Sequence, residues 1–149
     1  MGKTEENDYI IADCRKGQWS VGKREKTIKQ VCILDNNENI VWTGVEQEPG
    51  SGGKESREAT IKMLTGFRTF WDRPTGDKTT RAEPYAAQIE GGNVYLVKGA
   101  WVKDFIDEHR GAPYGKFKDQ WDASAGAFNR LNRKIKRAGG PRPKEKRIT

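Results

Sequence analysis

Histidine and cysteine are nearly missing from this chain: His109 stands alone, and the only cysteines are Cys14 and Cys32. A zinc site needs more such ligands at regular spacing, and neither cysteine has a CxxC partner, so none is expected. Both thiols sit among apolar neighbours, which fits small buried side chains in a reducing compartment rather than a disulfide. Long apolar runs are lacking too. No stretch approaches the ~20 residues of a membrane span, and residues 1–8 are too polar for a secretory leader. The expectation is a soluble, intracellular protein with no membrane partner.

Charge is what the chain has in plenty. Charged residues make up 33% of the 149, and hydrophobic ones 34%. That length fits one domain, with five Trp, five Phe and four Tyr to anchor a modest core. The net charge of +7 points to a polyanionic partner, nucleic acid first. The excess is uneven: residues 130–149 hold nine Lys and Arg against one acid, Glu145, and the remainder is close to neutral. Charge alone therefore argues for DNA only moderately, because such a tail binds polyanions without specificity.

Hydrophobic periodicity places the elements. Residues 8–14 (DYIIADC) read as a strand, and Ser20 as the N-cap of a helix over 21–34. A second strand spans 40–45 (IVWTGV), followed by Glu46, Glu48 and a glycine-rich loop, then a helix over 54–64 with Gly66 near its end. Residues 67–71 form a strand, 78–90 a helix interrupted near Pro84, and 94–97 a strand. Helices follow over 101–110 and 119–135, the last with Trp121, Ala125, Phe128, Leu131 and Ile135 on one stripe. Alternating strands and helices give the α/β class. One domain is expected over 1–138, with a basic disordered tail over 139–149.

Three acids fall at element ends. Glu46 ends an apolar strand, where open α/β sheets place their active sites, and Glu48 shares its strand face. Asp119 and Asp122, three apart, share a face of the last helix. Carboxylates without His or Cys suit hard cations such as Mg²⁺ or Mn²⁺, and two such ions can hydrolyse a phosphodiester. Each acid alone also has a purely structural explanation, Asp119 as a helix N-cap and Asp122 as a first-turn acid favoured by the dipole. Lys78 and Arg81, at i and i+3, either grip a DNA phosphate or form a solvated helix face. The GSGG loop at 50–53 lacks the GxxxxGK[ST] spacing, so no ATP site is expected.

Six segments, in order, resemble the C-terminal nuclease domain of tailed-phage terminase large subunits: GQWS at 17–20, VEQEPGSGGK at 45–54, GDKTTRAEP at 76–84, QIEGGNV at 88–94, WVKDFIDE at 101–108 and DQWDA at 119–123. The resemblance runs from Tyr9 to Leu131. It implies an RNase H-like mixed sheet flanked by helices and a two-metal endonuclease that cuts concatemeric viral DNA in the host cytoplasm. Glu46 matches the family's second acid. Asp119 matches a metal ligand in a segment like HDDxxDA, Asp122 resembles an extra acid of related junction resolvases, and Lys118 replaces an acid of the usual pair. Lys54, Lys78 and Arg81 are the implied DNA contacts. The implied partners are double-stranded DNA, the terminase ATPase part or an upstream polypeptide, the small terminase subunit and the portal. Nothing matches the acid that the family carries on its first strand, in a segment like WDxA. The sheet is therefore expected to lack its first strand or strands and to expose an edge. A cleavage-deficient remnant, acting as a DNA-binding or motor-assembly module, is the alternative.

Overall fold

The computed structural model describes residues 1–35, 41–47, 49–72 and 77–133. Glu48, Ile135 and the basic tail lie outside the described residues. In chain order the elements are β1 (Gly2–Lys3), β2 (Tyr9–Ile11), α1 (Val21–Asp35), β3 (Thr43–Glu46), α2 (Ser51–Met63), β4 (Thr69–Asp72), α3 (Lys78–Glu90), β5 (Val94–Leu96), α4 (Val102–Gly111) and α5 (Asp119–Asn132). This is the mixed α/β architecture expected. The short β1, unforeseen from sequence, pairs antiparallel with β2.

The strands form two sheets rather than one. The first has the order β1-β2-β5, with β2 and β5 parallel, and the second consists of β3 and β4, also parallel. In the first, Tyr9 and Ile11 turn inward and are buried, while Ile10 turns outward beside Tyr95, its partner in register.

Helices α3 and α5 carry the core. Ala82 and Tyr85 on α3 meet Trp121, Ala125 and Phe128 on α5, and Tyr9 closes the cluster from β2. Spacings of three and four put each set on one helical stripe. Tyr85 is fully buried, with ring centroids 5.3 Å from Trp121 and 5.8 Å from Phe128. Leu131, expected on the same stripe, is instead 39% exposed because the helix ends one residue later, at Asn132.

Two helix boundaries differ from expectation. α3 runs unbroken through Pro84. A proline in a helix interior costs about 3 kcal/mol, and burial of Ala82 and Tyr85 against α5, on either side of it, offsets that. α2 begins at Ser51, so two glycines lie in its first turn. Ser20 does cap α1, accepting a hydrogen bond from the Lys23 amide at 3.4 Å.

Candidate active site at the strand ends

The contacts of the β3–β4 sheet show which residues point where, with Gly44 and Glu46 on one face and Trp71 on the other left exposed. Side chains alternate along a strand, and Gly44, Glu46, Phe70 and Asp72 share one face by register. That face looks toward α5: the Arg130 guanidinium lies 4.3 Å from the Phe70 ring centre, and Arg133 pairs with Asp72 at 2.7 Å. The Phe70 ring fills the space over Gly44, where a Cβ would come within 2.5 Å of it. The opposite face meets α1 and α2. There Cys32 Sγ lies 3.2 Å from Thr43 Oγ1, and Arg57 donates to Gln47 Oε1 at 2.6 Å while stacking on Trp71 at 4.1 Å.

Glu46 thus ends a parallel strand on the α5 side, and Asp122 lies in the first turn of α5. Lys78 meets the second of these acids, its Nζ 2.6 Å from Asp122 Oδ2. The hydrogen bond to Asp122 holds the lysine above its ordinary pKa; partial burial works against this, and the negative charge of Glu46 adds to the rise. Local sequence fixes the lysine's place. Asp77 caps α3, accepting from the Thr80 amide at 3.0 Å, and so makes Lys78 the first helical residue.

The acids do not gather into one cluster among the described residues. Glu46 neighbours Asp72 across about 5 Å of sheet. The partner of Asp72 is Arg133, eleven residues from Asp122, or roughly 16 Å along the helix axis. Asp119, the first residue of α5, is exposed. Among the described residues no three His, Cys, Asp or Glu side chains gather as a metal site. These acids alone, one of them already bound to an ammonium, do not fit a divalent ion.

The other expected DNA contacts are cationic and placed on helices. Lys54 is exposed in the first turn of α2, 4.0 Å from Glu58. Arg81 lies one turn beyond Lys78, and its Nε is buried with no hydrogen-bond partner among the described residues. Two further groups carry charge to this region without having been singled out by sequence. Asp72 ends an aromatic strand, the same signal that marks Glu46. Glu108 has no such signal. It lies mid-helix in α4 yet is buried, and it serves as the N-terminal cap of α5 from a distance. Its Oε1 accepts from the Gln120 amide at 2.6 Å and the Trp121 amide at 3.4 Å. Its Oε2 accepts from Gln120 Nε2 and Lys16 Nζ, both at 2.9 Å. Lys118, the N-cap residue by position, makes no side-chain cap.

His109 is half-buried beside the core. Its Nδ1 lies 2.9 Å from the Phe105 carbonyl, which only accepts, so Nδ1 carries the proton. Nε2 then accepts from the Tyr85 hydroxyl at 3.2 Å. Burial pushes the histidine below its ordinary pKa and the Tyr85 phenol up to about 12. Both cysteines are free, Cys32 buried and Cys14 partly so.

The family model described as the terminase RNase H-like domain matches residues 35–131, well over half of the chain. No curated protein and no solved structure matches. No helix among the described residues is long and apolar enough to cross a membrane.

Proposed function

Because the chain belongs to the family of terminase RNase H-like domains, we propose that it is the nuclease part of a phage DNA-packaging motor, cutting concatemeric viral DNA in the host cytoplasm. One observation carries this reading. Glu46 ends a parallel strand beside Asp72, and Lys78, paired with Asp122 in the first turn of α5, also feels the charge of Glu46. Open α/β folds build their sites at such strand ends. Glu46, Asp119 and Asp122 are the proposed Mg²⁺ or Mn²⁺ ligands. They need a carboxylate beyond those that the described residues bring together, and we place it on the upstream polypeptide. Lys54 and Arg81 contact DNA phosphates, joined by Lys78 when it is released from Asp122. The ATPase part, the small terminase subunit and the portal are the proposed assembly partners.

A second reading has its own support. The absence of a three-acid cluster among the described residues, and the engagement of Asp122 by Lys78, favour a module that binds DNA without cutting it. Supercoiled plasmid in Mn²⁺, with and without the upstream polypeptide, separates the two. Nicking that requires the upstream part, and that Asp119→Ala abolishes while the circular dichroism spectrum stays unchanged, is the expected result. Plasmid bound but uncut in both mixtures supports the binding module. Equal nicking by Asp119→Ala removes the ligand assignment.

A further inference from the structure

We infer that the loop over 112–118, between α4 and α5, is a stacking platform for the unpaired bases of a single DNA strand. The inference deepens the proposed DNA partner and rests on it, but on no metal ligand. The loop reads APYGKFK, so two aromatic and two basic residues interleave over 114–118. Tyr114, Lys116, Phe117 and Lys118 are all exposed, Tyr114 to 92% and Phe117 to 53%. A lone exposed aromatic is common on a protein surface. Two of them beside cations form the combination that holds single strands, with bases stacked on the rings and phosphates on the charges.

Cations already gather at the less exposed ring. Lys16 Nζ lies 5.4 Å and Lys116 Nζ 5.3 Å from the centre of Phe117, within reach of a cation–π attraction. The ring, both lysines and Asp104 line an open cleft of about 280 Å³. The carboxylates of this cleft each pair with a cation: Asp104 and Glu108 with Lys16, at 3.1 and 2.9 Å, and Asp107 with Lys103, at 2.6 Å. Lys116 and Lys118 make no ion pair among the described residues and are left for phosphates. The loop is held at both ends. The Gly115 amide donates to the Gly111 carbonyl at the end of α4, and the buried Glu108 carboxylate fixes the first turn of α5. Asp119 and Asp122 open α5 directly after the loop, so a strand seated on Phe117 passes the turn that bears them. Bases of an intact duplex are stacked on one another and do not reach such rings, so the surface selects an unpaired stretch.

The test is fluorescence anisotropy of the full chain with a labelled oligothymidylate and with a duplex of equal length, in EDTA so that neither is cut. The variants are Tyr114→Ala, Phe117→Ala and Phe117→Trp, with circular dichroism as the check of fold. Tyr114 is almost wholly in solvent, so Tyr114→Ala decides the matter if Phe117→Ala perturbs the fold. The expected result is single-strand binding weakened at least about fivefold by each alanine, Phe117→Trp within about twofold of wild type, and duplex binding changed less than about twofold throughout. The single-strand losses should persist as salt is raised, because stacking, unlike a phosphate contact, releases no counter-ions. Equal weakening on both DNAs, or no loss on the single strand, overturns the platform. The expected losses in a chain that nicks no plasmid, even with the upstream polypeptide, leave the platform standing and overturn the nuclease reading alone.

Discussion

His109 shows how partial burial and two hydrogen bonds fix a titratable side chain against the core. It stacks on Phe105 at 3.8 Å and meets Trp121 edge-on at 5.3 Å. Its proton is committed to the Phe105 carbonyl and its lone pair to Tyr85. The folded state holds it neutral, with a pKa below the ordinary 6.5. The unfolded chain therefore takes up a proton first as pH falls, and stability declines from about 6.5 downward to the folded value. Urea midpoints measured between about pH 7.5 and about pH 5 should fall in the wild type. That slope should largely vanish in His109→Gln, whose amide does not titrate; an unaltered slope would mean that other groups cause the loss. Glu108 acts lower on the scale. Burial alone would raise its pKa, but hydrogen bonds from Gln120 and Lys16 outweigh this and leave it below 4.5, so its contribution disappears only in more acidic solution.

At the scale of elements, Glu108 explains why α5 starts where it does. A helix leaves its first amides unsatisfied, and here a carboxylate from α4 takes two of them in place of a neighbouring side chain. The same carboxylate binds Lys16, which also reaches Asp104 at 3.1 Å, so the segment before α1 is tied to α4 and α5 together. The turn held this way bears Asp119 and Asp122. Glu108→Ala should cost about 1–3 kcal/mol, since it strips buried amides of their acceptor. Glu108→Gln, which keeps an acceptor but loses the charge, should cost less. Thermal denaturation of the two variants ranks them, and equal losses would mean that the ion pair rather than the cap matters.

At the scale of the whole molecule, α5 joins two sheets that do not pair with each other. Its Asn132 accepts from the Tyr9 hydroxyl at 2.8 Å and from Lys3 at 2.7 Å, reaching the first sheet. Arg130 and Arg133 reach Phe70 and Asp72 on the second. Phe128 lies one turn before Asn132, 4.7 Å from Tyr9 and part of the same core cluster. Phe128→Ala should destabilise by about 3–5 kcal/mol, a large fraction of the roughly 5–15 kcal/mol that holds a domain together. Denaturant unfolding would show the loss directly, and a change below about 1 kcal/mol would mean that the α5 seam can collapse onto the gap.

Periodicity and end signals, which depend on neighbours within a few residues, make most elements legible from the chain alone. The bounds of α3, Lys78–Glu90, and the stripe of Trp121, Ala125 and Phe128 are both readable there, because helical spacing is a local property. The terminase family is legible as well, since it rests on ordered motifs. Relations between distant residues are not: the Glu108 cap, the division into two sheets, and the meeting of Lys78 with Asp122 across 44 positions. Local pattern determines which side chains share a face. Only the tertiary structure decides which faces meet, because burial and charge pairing act through space, and so it alone pairs Lys78 with Asp122.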